Sequence, residues 1–170
     1  MDIAGLLRVV PDFPKPGILF RDISPLLGTP NAFQYAIKEM ARRVSGREVD
    51  VLIGIESRGF IFAAPLAIEI GVPLVMVRKP GKLPGVTESI QYGLEYGSDV
   101  LQLQSGALKP KSRVVVVDDV LATGGTAQAV GALVEQVGAS VGAYIFLAEL
   151  LALGGRERLA GREIEALVQI

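Results

Sequence analysis

The sequence contains no cysteine and no histidine. Without cysteine, the chain can form no disulfide, no thiolate metal site and no thiolate nucleophile. Without histidine, it lacks the side chain that most often serves as a general base or metal ligand near neutral pH. Any acid–base chemistry must therefore depend on carboxylates, lysines or tyrosines.

An excess of either charge and long apolar runs are also absent. Seventeen basic residues balance eighteen acidic ones, which argues against a general nucleic-acid binder. No run free of charged residues approaches the roughly 20 apolar residues of a membrane helix. The first residues, with an acid at position 2, lack the basic-then-apolar order of a secretory signal. We therefore expect a cytoplasmic protein without a membrane segment. The balanced charge does not argue against small anionic ligands, because these need only a few well-placed cations.

Alternating strand-like and helical segments predict an α/β fold. The length of 170 residues, half of them apolar, suits one domain over residues 1–170. The alternation favours a mainly parallel sheet. Strands are predicted at 50–55, 72–77, 114–117 and 141–147. One helix is predicted to begin at Thr29–Pro30 and another to occupy 59–70, and helices are predicted to end near Gly46, Gly71 and Gly138. The intervening stretch 78–97 is rich in glycine and is followed by a possible hairpin strand at 100–104, and loops of this length tend to be functional or mobile.

The segment Val114–Thr126, VVVVDDVLATGGT, contains the strongest chemical pattern. Four valines predict a strand buried on both faces, and Asp118 and Asp119 follow it, where open α/β sheets bind ligands. A glycine-containing loop then leads into a helix, and its backbone N–H groups, hydroxyls and helix dipole suit an anion. The loop residues are Ala122, Thr123, Gly124, Gly125 and Thr126.

A phosphate beside a neutral diol fits this segment best. The two carboxylates repel a phosphate but accept hydrogen bonds from sugar hydroxyls, so the pattern predicts a ribose 5-phosphate site. No lysine follows the glycines as a P-loop requires. The alternative is an ordinary connection whose aspartates only solvate a strand end.

The same segment resembles the 5-phosphoribosyl 1-diphosphate motif of the type I phosphoribosyltransferases. FPKPGILFRDISPLL (13–27), ESRGF (56–60) and YGLEYG (92–97) are similar to segments of the adenine-specific branch of that family. The resemblance covers essentially the whole chain. It implies the type I fold, with a mainly parallel central sheet flanked by helices, a small N-terminal hood at about 1–27 and a flexible catalytic loop at about 78–97.

The resemblance also implies a reaction and its participants. Adenine and 5-phosphoribosyl 1-diphosphate would give AMP and pyrophosphate in purine salvage, with Mg²⁺ as cofactor and a homodimer as the assembly. The ion would be held mainly by substrate, with water between it and Asp118 or Asp119, because no dedicated protein cage is apparent. On this reading, the two aspartates hold the ribose hydroxyls.

Two groups of residues are expected to bind pyrophosphate. Ser57 and Arg58 lie at a predicted helix start, where a bound anion would resolve the conflict between Arg58 and the helix dipole; otherwise Arg58 is a surface residue. By resemblance, Glu56 to Arg58 form the pyrophosphate loop, with a cis peptide bond between Glu56 and Ser57. The resemblance also assigns pyrophosphate binding to Arg78, Lys79 and Lys82, some of them in the neighbouring subunit's site. The alternative is that these three residues are only a solvated run of charges.

The remaining expectations concern the base. By resemblance, Phe20 stacks on adenine and the backbone at Arg21 contacts the base. Glu95, beside Tyr96 in a closing lid, would be the acid/base for the proton on the purine. The alternatives are that Phe20 only packs in the core and that Glu95 is a solvent-facing residue. Two other functions stay open: transfer to a different purine base, and non-catalytic sensing of the phosphoribosyl donor.

Overall fold

A five-stranded parallel sheet forms the centre of the computed structural model, which describes residues 1–93 and 98–170. The strands are β1 (Arg8–Pro11), β2 (Leu19–Asp22), β3 (Val51–Ile55), β4 (Leu74–Val77), β5 (Thr87–Gly93), β6 (Ser98–Gln104), β7 (Arg113–Leu121), β8 (Ser140–Glu149) and β9 (Ile164–Gln169). The helices are α1 (Ser24–Leu27), α2 (Pro30–Val44), α3 (Gly59–Ile70), α4 (Gly125–Gln136) and α5 (Gly155–Arg158), with 3₁₀ turns at Ala4–Leu6 and Leu151–Leu153.

The strand order in the central sheet is β4-β3-β7-β8-β9, and every neighbouring pair is parallel. Two antiparallel hairpins, β1–β2 and β5–β6, lie outside this sheet. The predicted α/β fold with a mainly parallel sheet is therefore confirmed.

The valines of β7 explain how the sheet is buried on both faces. Val115 and Val117 belong to the core cluster formed with α2 and α3. Val114 and Val116 belong to the opposite cluster, formed with α4 and the hairpin strand β6. Since side chains alternate along a strand, a run of four apolar residues supplies both cores. None of the helices in residues 1–93 and 98–170 has the length and apolar character needed to cross a membrane.

Several element boundaries were predicted correctly from sequence. Helix α3 occupies Gly59–Ile70, and Gly71 ends it with a left-handed φ of 71°. Helix α2 begins at Pro30 after Thr29, which has the extended backbone of an N-cap residue.

Two predictions about strands were wrong. The strand predicted at 114–117 continues to Leu121, because pairing with β8 goes on through Asp118↔Phe146 and Val120↔Ala148. Asp118 and Asp119 therefore lie within the last residues of β7 rather than after the strand. The stretch 78–97 contains β5, which pairs with β6 along its whole length. The hairpin β1–β2 and the edge strand β9 were not predicted.

Candidate functional site

A cleft of about 980 Å³ opens at the carboxyl ends of the central strands. Its walls come from residues 17–21 of the N-terminal hairpin, 56–58 after β3, 118–120 at the end of β7, and the segment after β8. A cavity of this size and position is typical of a small-molecule site in an open α/β fold.

The loop between β7 and α4 encloses a second, smaller cavity of about 80 Å³ beside the cleft. Gly124 takes a left-handed φ of 79°, and α4 begins at the next residue. The helix N-terminus, with its unpaired N–H groups and partial positive charge, therefore lies at this cavity. Residues 122–126 all line it, together with Asp118. The predicted phosphate loop thus has the geometry of an anion site without any lysine.

Asp118 lines both cavities, and its chain neighbour Asp119 lines the larger cleft. The backbone N–H of Asp119 donates to Asp118 Oδ1 at 2.9 Å. Burial, and then the charge of Asp119, raises the pKa of Asp118 well above its usual range. Burial also raises the pKa of Asp119, although Arg58 opposes that rise. The pair is therefore held where its negative charge is poorly solvated.

Arg58 contacts three parts of the cleft at once. Its Nε lies 2.7 Å from Asp119 Oδ2, its Nη1 donates to the backbone oxygen of Arg21 at 3.3 Å, and its guanidinium carbon lies 4.7 Å from the Phe20 ring centroid. Asp119 is only 4% exposed, and within the described part of the chain its Oδ2 has no hydrogen-bond partner, so the contact with Arg58 is an ion pair without hydrogen-bond geometry. One cation thus joins the carboxylate pair to the N-terminal hairpin.

The N-terminal hairpin presents apolar side chains to the cleft. Phe20 packs edge-on against Phe13, with 5.0 Å between ring centroids. Ile18 and Leu19 line the cleft and are substantially exposed. An exposed apolar surface beside a concave site is typical of a wall that a flat ligand covers.

Glu56 organises the basic residues that follow β4. Its Oε2 accepts from the Lys79 backbone N–H at 2.8 Å, and Arg78 donates to both of its carboxylate oxygens at 3.3 Å. Burial would raise the pKa of Glu56, but the Lys79 N–H and then Arg78 outweigh it, so the pKa is lowered. The peptide bond between Glu56 and Ser57 is cis, as predicted.

The three predicted pyrophosphate cations are not equivalent. Among the described residues that line the cleft, Lys79 is present, whereas Arg78 and Lys82 are not. Arg78 is held by Glu56 and by the backbone oxygen of Lys82 at 3.1 Å. The Lys79 ammonium pairs with Asp99 of β6, which lowers the pKa of Asp99 and raises that of Lys79.

Tyr92 connects the β5–β6 hairpin to the phosphate loop. Its hydroxyl lies 3.4 Å from both Asp99 Oδ2 and Thr126 Oγ1. The predicted lid residues Glu95 and Tyr96 lie outside the described residues.

Sequence reasoning missed several residues that line the cleft. Their shared feature is a position on the β5–β6 hairpin or near the chain's final strand: Tyr92, Leu101, Leu150, Ala152, Leu153 and Ile170. A signal was available for Leu150, Ala152 and Leu153, because the apolar run LLAL (150–153) follows the buried parallel strand β8, and such strand ends meet at the ligand side of the sheet.

The carboxylates of the cleft suit a magnesium ion only in part. In residues 1–93 and 98–170, no group of three or more acidic, histidine or cysteine side chains is arranged to hold a metal. Asp118 and Asp119 nevertheless offer hard oxygen ligands, and one of those oxygens has no hydrogen-bond partner among the described residues. This donor set fits Mg²⁺ that keeps several water and substrate ligands.

Comparisons with known proteins agree with this architecture. Residues 26–158 match the phosphoribosyl transferase domain family. The adenine phosphoribosyltransferase of Synechococcus sp. (strain CC9605) is 52% identical over 170 residues, covering 99% of each chain. The crystal structure of adenine phosphoribosyltransferase from Thermoanaerobacter pseudethanolicus is similar with a TM-score of 0.97 and 48% identity, covering 99% of this chain and 98% of that one.

A second solved structure was determined with a base bound. Adenine phosphoribosyltransferase from Saccharomyces cerevisiae, in complex with adenine and an imino-altritol bisphosphate, has a TM-score of 0.88 and 40% identity. The alignment covers 96% of this chain and 94% of that one.

Proposed function

We infer that this chain, which belongs to the adenine phosphoribosyltransferase family, transfers the 5-phosphoribosyl group of 5-phosphoribosyl 1-diphosphate to adenine, giving AMP and pyrophosphate. The observation that carries this conclusion is the arrangement of one cleft. A carboxylate pair lies between a helix-start anion cavity and an apolar hairpin wall. These three parts match a sugar diol, a phosphate and a flat base.

The sugar phosphate would occupy the cavity at the start of α4. Residues 122–126 hold the 5-phosphate through backbone N–H groups and hydroxyls, helped by the helix dipole. Asp118 and Asp119 accept hydrogen bonds from the ribose hydroxyls. Because cleavage of the bond to pyrophosphate builds positive charge on the sugar ring, a poorly solvated carboxylate pair also stabilises the transition state.

Adenine would lie against the N-terminal hairpin, the proposed hood (residues 1–27). Phe20 stacks on the base and the Arg21 backbone contacts its edge. The exposed apolar side chains of Ile18 and Leu19 support this role, since the base would cover them.

Pyrophosphate would leave past Ser57, Arg58 and Lys79. Lys79 and Arg58 both line the cleft, and Arg58 is already oriented by its acidic partner Asp119. Glu56 and Arg78 act by fixing the backbone at Lys79. Lys82 is exposed, which suits contact with pyrophosphate in a neighbouring subunit.

Magnesium is the proposed cofactor. It would be bound mainly by substrate oxygens and water, with Asp118 or Asp119 as outer contacts, and it would neutralise charge on the departing pyrophosphate. We also propose that the segment 78–97 closes over the donor, with Glu95 as acid/base and Tyr96 beside it.

A homodimer is the proposed assembly. Apolar side chains are exposed on α3 and on the edge strand β4: Ile61, Met76 and, at 84% exposure, Ile68. An exposed apolar helix face beside an open sheet edge fits a second copy of the chain. Cytoplasmic location rests on composition and stays a prediction.

The decisive experiment measures pyrophosphate release. The protein is incubated with Mg²⁺, the phosphoribosyl donor and one base at a time from a panel of adenine, hypoxanthine, guanine and xanthine. We expect turnover with adenine. Turnover with another base alone would overturn the base assignment, and donor binding without any turnover would favour a sensor.

A further inference from the structure

We propose that the ion pair between Glu149 and Arg156 positions the phosphate loop from behind, so that these two residues govern binding of the 5-phosphate without touching it. This inference rests on the proposed function of residues 122–126. Glu149 ends β8, and Arg156 lies in the single-turn helix α5. Neither residue lines the cleft or the smaller cavity.

The pair has the geometry of a strong, fixed contact. Arg156 Nε donates to Glu149 Oε1 at 2.9 Å and Arg156 Nη2 donates to Oε2 at 2.7 Å. Gln169 of β9 donates to the same Oε2 at 3.0 Å. Glu149 is 2% exposed, and its hydrogen bonds with Arg156 lower its pKa despite burial. Bidentate pairs of this kind hold direction as well as distance.

The ion pair between Glu149 and Arg156 closes a short loop that packs against the phosphate loop at Gly155. Gly155, next to Arg156, is so close to Ala122 that an added Cβ would lie 2.2 Å from the Ala122 backbone oxygen. A Cβ on Gly124 would in turn lie 2.6 Å from the Gly155 backbone oxygen. Two residues of the phosphate loop therefore rest directly on the backbone of Gly155.

Packing against the Leu121 side chain and a 3.1 Å hydrogen bond from Arg156 Nη1 to the Ile164 backbone oxygen also hold this region, but the bidentate pair is the charged contact at the start of α5. Helix α5 has four residues, too few to be stable by itself. The buried side chain of Leu159 anchors its far end, and the ion pair anchors its start. Loss of the pair should therefore let Gly155 withdraw while the fold persists, which would loosen the backbone that receives the phosphate.

The test compares Glu149→Gln and Arg156→Lys with wild type. Glutamine keeps the size of the side chain but not its charge, and lysine keeps the charge but not the planar fork. Glu135→Gln is the matched control, because it breaks another Glu–Arg pair, with Arg162, near the far end of α4. Calorimetric titration with AMP, ribose 5-phosphate and adenine measures each affinity, and thermal melting verifies that each variant is folded.

We expect both variants to bind AMP and ribose 5-phosphate roughly ten-fold more weakly, the effect of weakening one charge-assisted hydrogen bond. Adenine affinity should stay within about two-fold of wild type, a limit set by the coupling expected between separated sites. The KM for the phosphoribosyl donor should rise while the KM for adenine does not. The Glu135→Gln control should match wild type throughout.

Two results would overturn the inference. One is AMP affinity that is unchanged in both folded variants. The other is an equal loss for adenine and AMP, which would mark a general structural role. If wild type itself fails to bind AMP or ribose 5-phosphate, the proposed function fails instead.

Chemical rescue is a further test of positioning by the planar fork of Arg156. Millimolar guanidinium chloride should restore AMP affinity to Arg156→Ala, whereas methylammonium should not. No restoration by either would also count against positioning by the fork.

Discussion

Replacing Asp118 with Asn should stabilise the protein and abolish most of its activity. Burial and the neighbouring charge of Asp119 raise the pKa of Asp118 well above 3.8. The ionised carboxylate is therefore disfavoured in the folded state relative to the unfolded state. Asparagine has nearly the same shape, can still accept the hydrogen bond from the Asp119 N–H, and carries no charge.

The expected gain is about 1–2 kcal/mol in the free energy of unfolding at pH 7, the usual size of a relieved unfavourable charge. For a domain of 170 residues, this corresponds to a rise of about 2–8 °C in melting temperature. Asp119→Asn should gain less, because it also gives up the ion pair with Arg58. The predicted ranking of the two variants by stability therefore depends on the contact between Arg58 and Asp119.

The pH dependence of stability is a second test of whether Asp118→Asn stabilises the fold. A carboxyl group with a raised folded-state pKa contributes its stability fully below 3.8 and loses it as pH rises through the folded-state value. The advantage of Asp118→Asn should thus vanish below pH 3.8 and grow as the pH rises above it. Calorimetric melting of wild type and both variants across this range measures it.

Activity should change in the opposite direction. On the proposed role, Asp118 faces the positive charge that develops on the sugar, so its loss should lower kcat/KM roughly 100-fold or more, measured by pyrophosphate release. A melting temperature at or below that of wild type at pH 7 would refute the claim that the pair opposes folding. Full activity in the double Asn variant would refute the ribose role.

Three further outcomes are expected. Glu95→Gln should lower kcat while donor affinity, measured by titration, stays near wild type; unchanged turnover would remove Glu95 from acid/base chemistry. Gly59→Ala should destabilise the fold by about 1–3 kcal/mol, because the added methyl would lie 2.9 Å from both Asp118 Oδ1 and the Val117 backbone oxygen. Denaturant unfolding measures the change in the free energy of unfolding, and no change would mean that α3 can move away from β7. Ile68→Glu should yield monomers in sedimentation velocity if α3 forms the dimer contact, with Glu69→Gln on the same helix as the control; an unchanged dimer would place the interface elsewhere.

The sequence predicted the part of the fold in which local pattern and burial agree. Helix α3 was placed correctly because an apolar run ends at Gly71 with left-handed backbone. The strand β9 was missed because IEALVQ lies at the sheet edge, where only half-burial is needed and no strong pattern arises. The end of β7 was missed because pairing with β8 overrides the change from valine to aspartate.

Site residues near one another in sequence were predicted better than those that meet only in the fold. The phosphate loop is contiguous, so its order of strand, acids, glycines and helix is readable. The contacts of Arg58 with Phe20 and Asp119 join residues 38 and 61 positions apart, and no local pattern encodes them. The contribution of Leu150 and Ile170 to the cleft likewise depends on strand order.

The position of Arg58 has a consequence for redesign. Because its guanidinium touches Phe20, the Arg21 carbonyl and the buried Asp119, the proposed base-binding wall and the proposed sugar-binding carboxylates are not separate modules. A library that varies the proposed hood to accept a new base is expected to shift Arg58 and, through it, the electrostatic environment of the carboxylates proposed to hold the ribose. Selections for base preference should therefore vary residues 18–21 and 58 together, since variants of residues 18–21 alone would be screened against a perturbed site at Asp118 and Asp119.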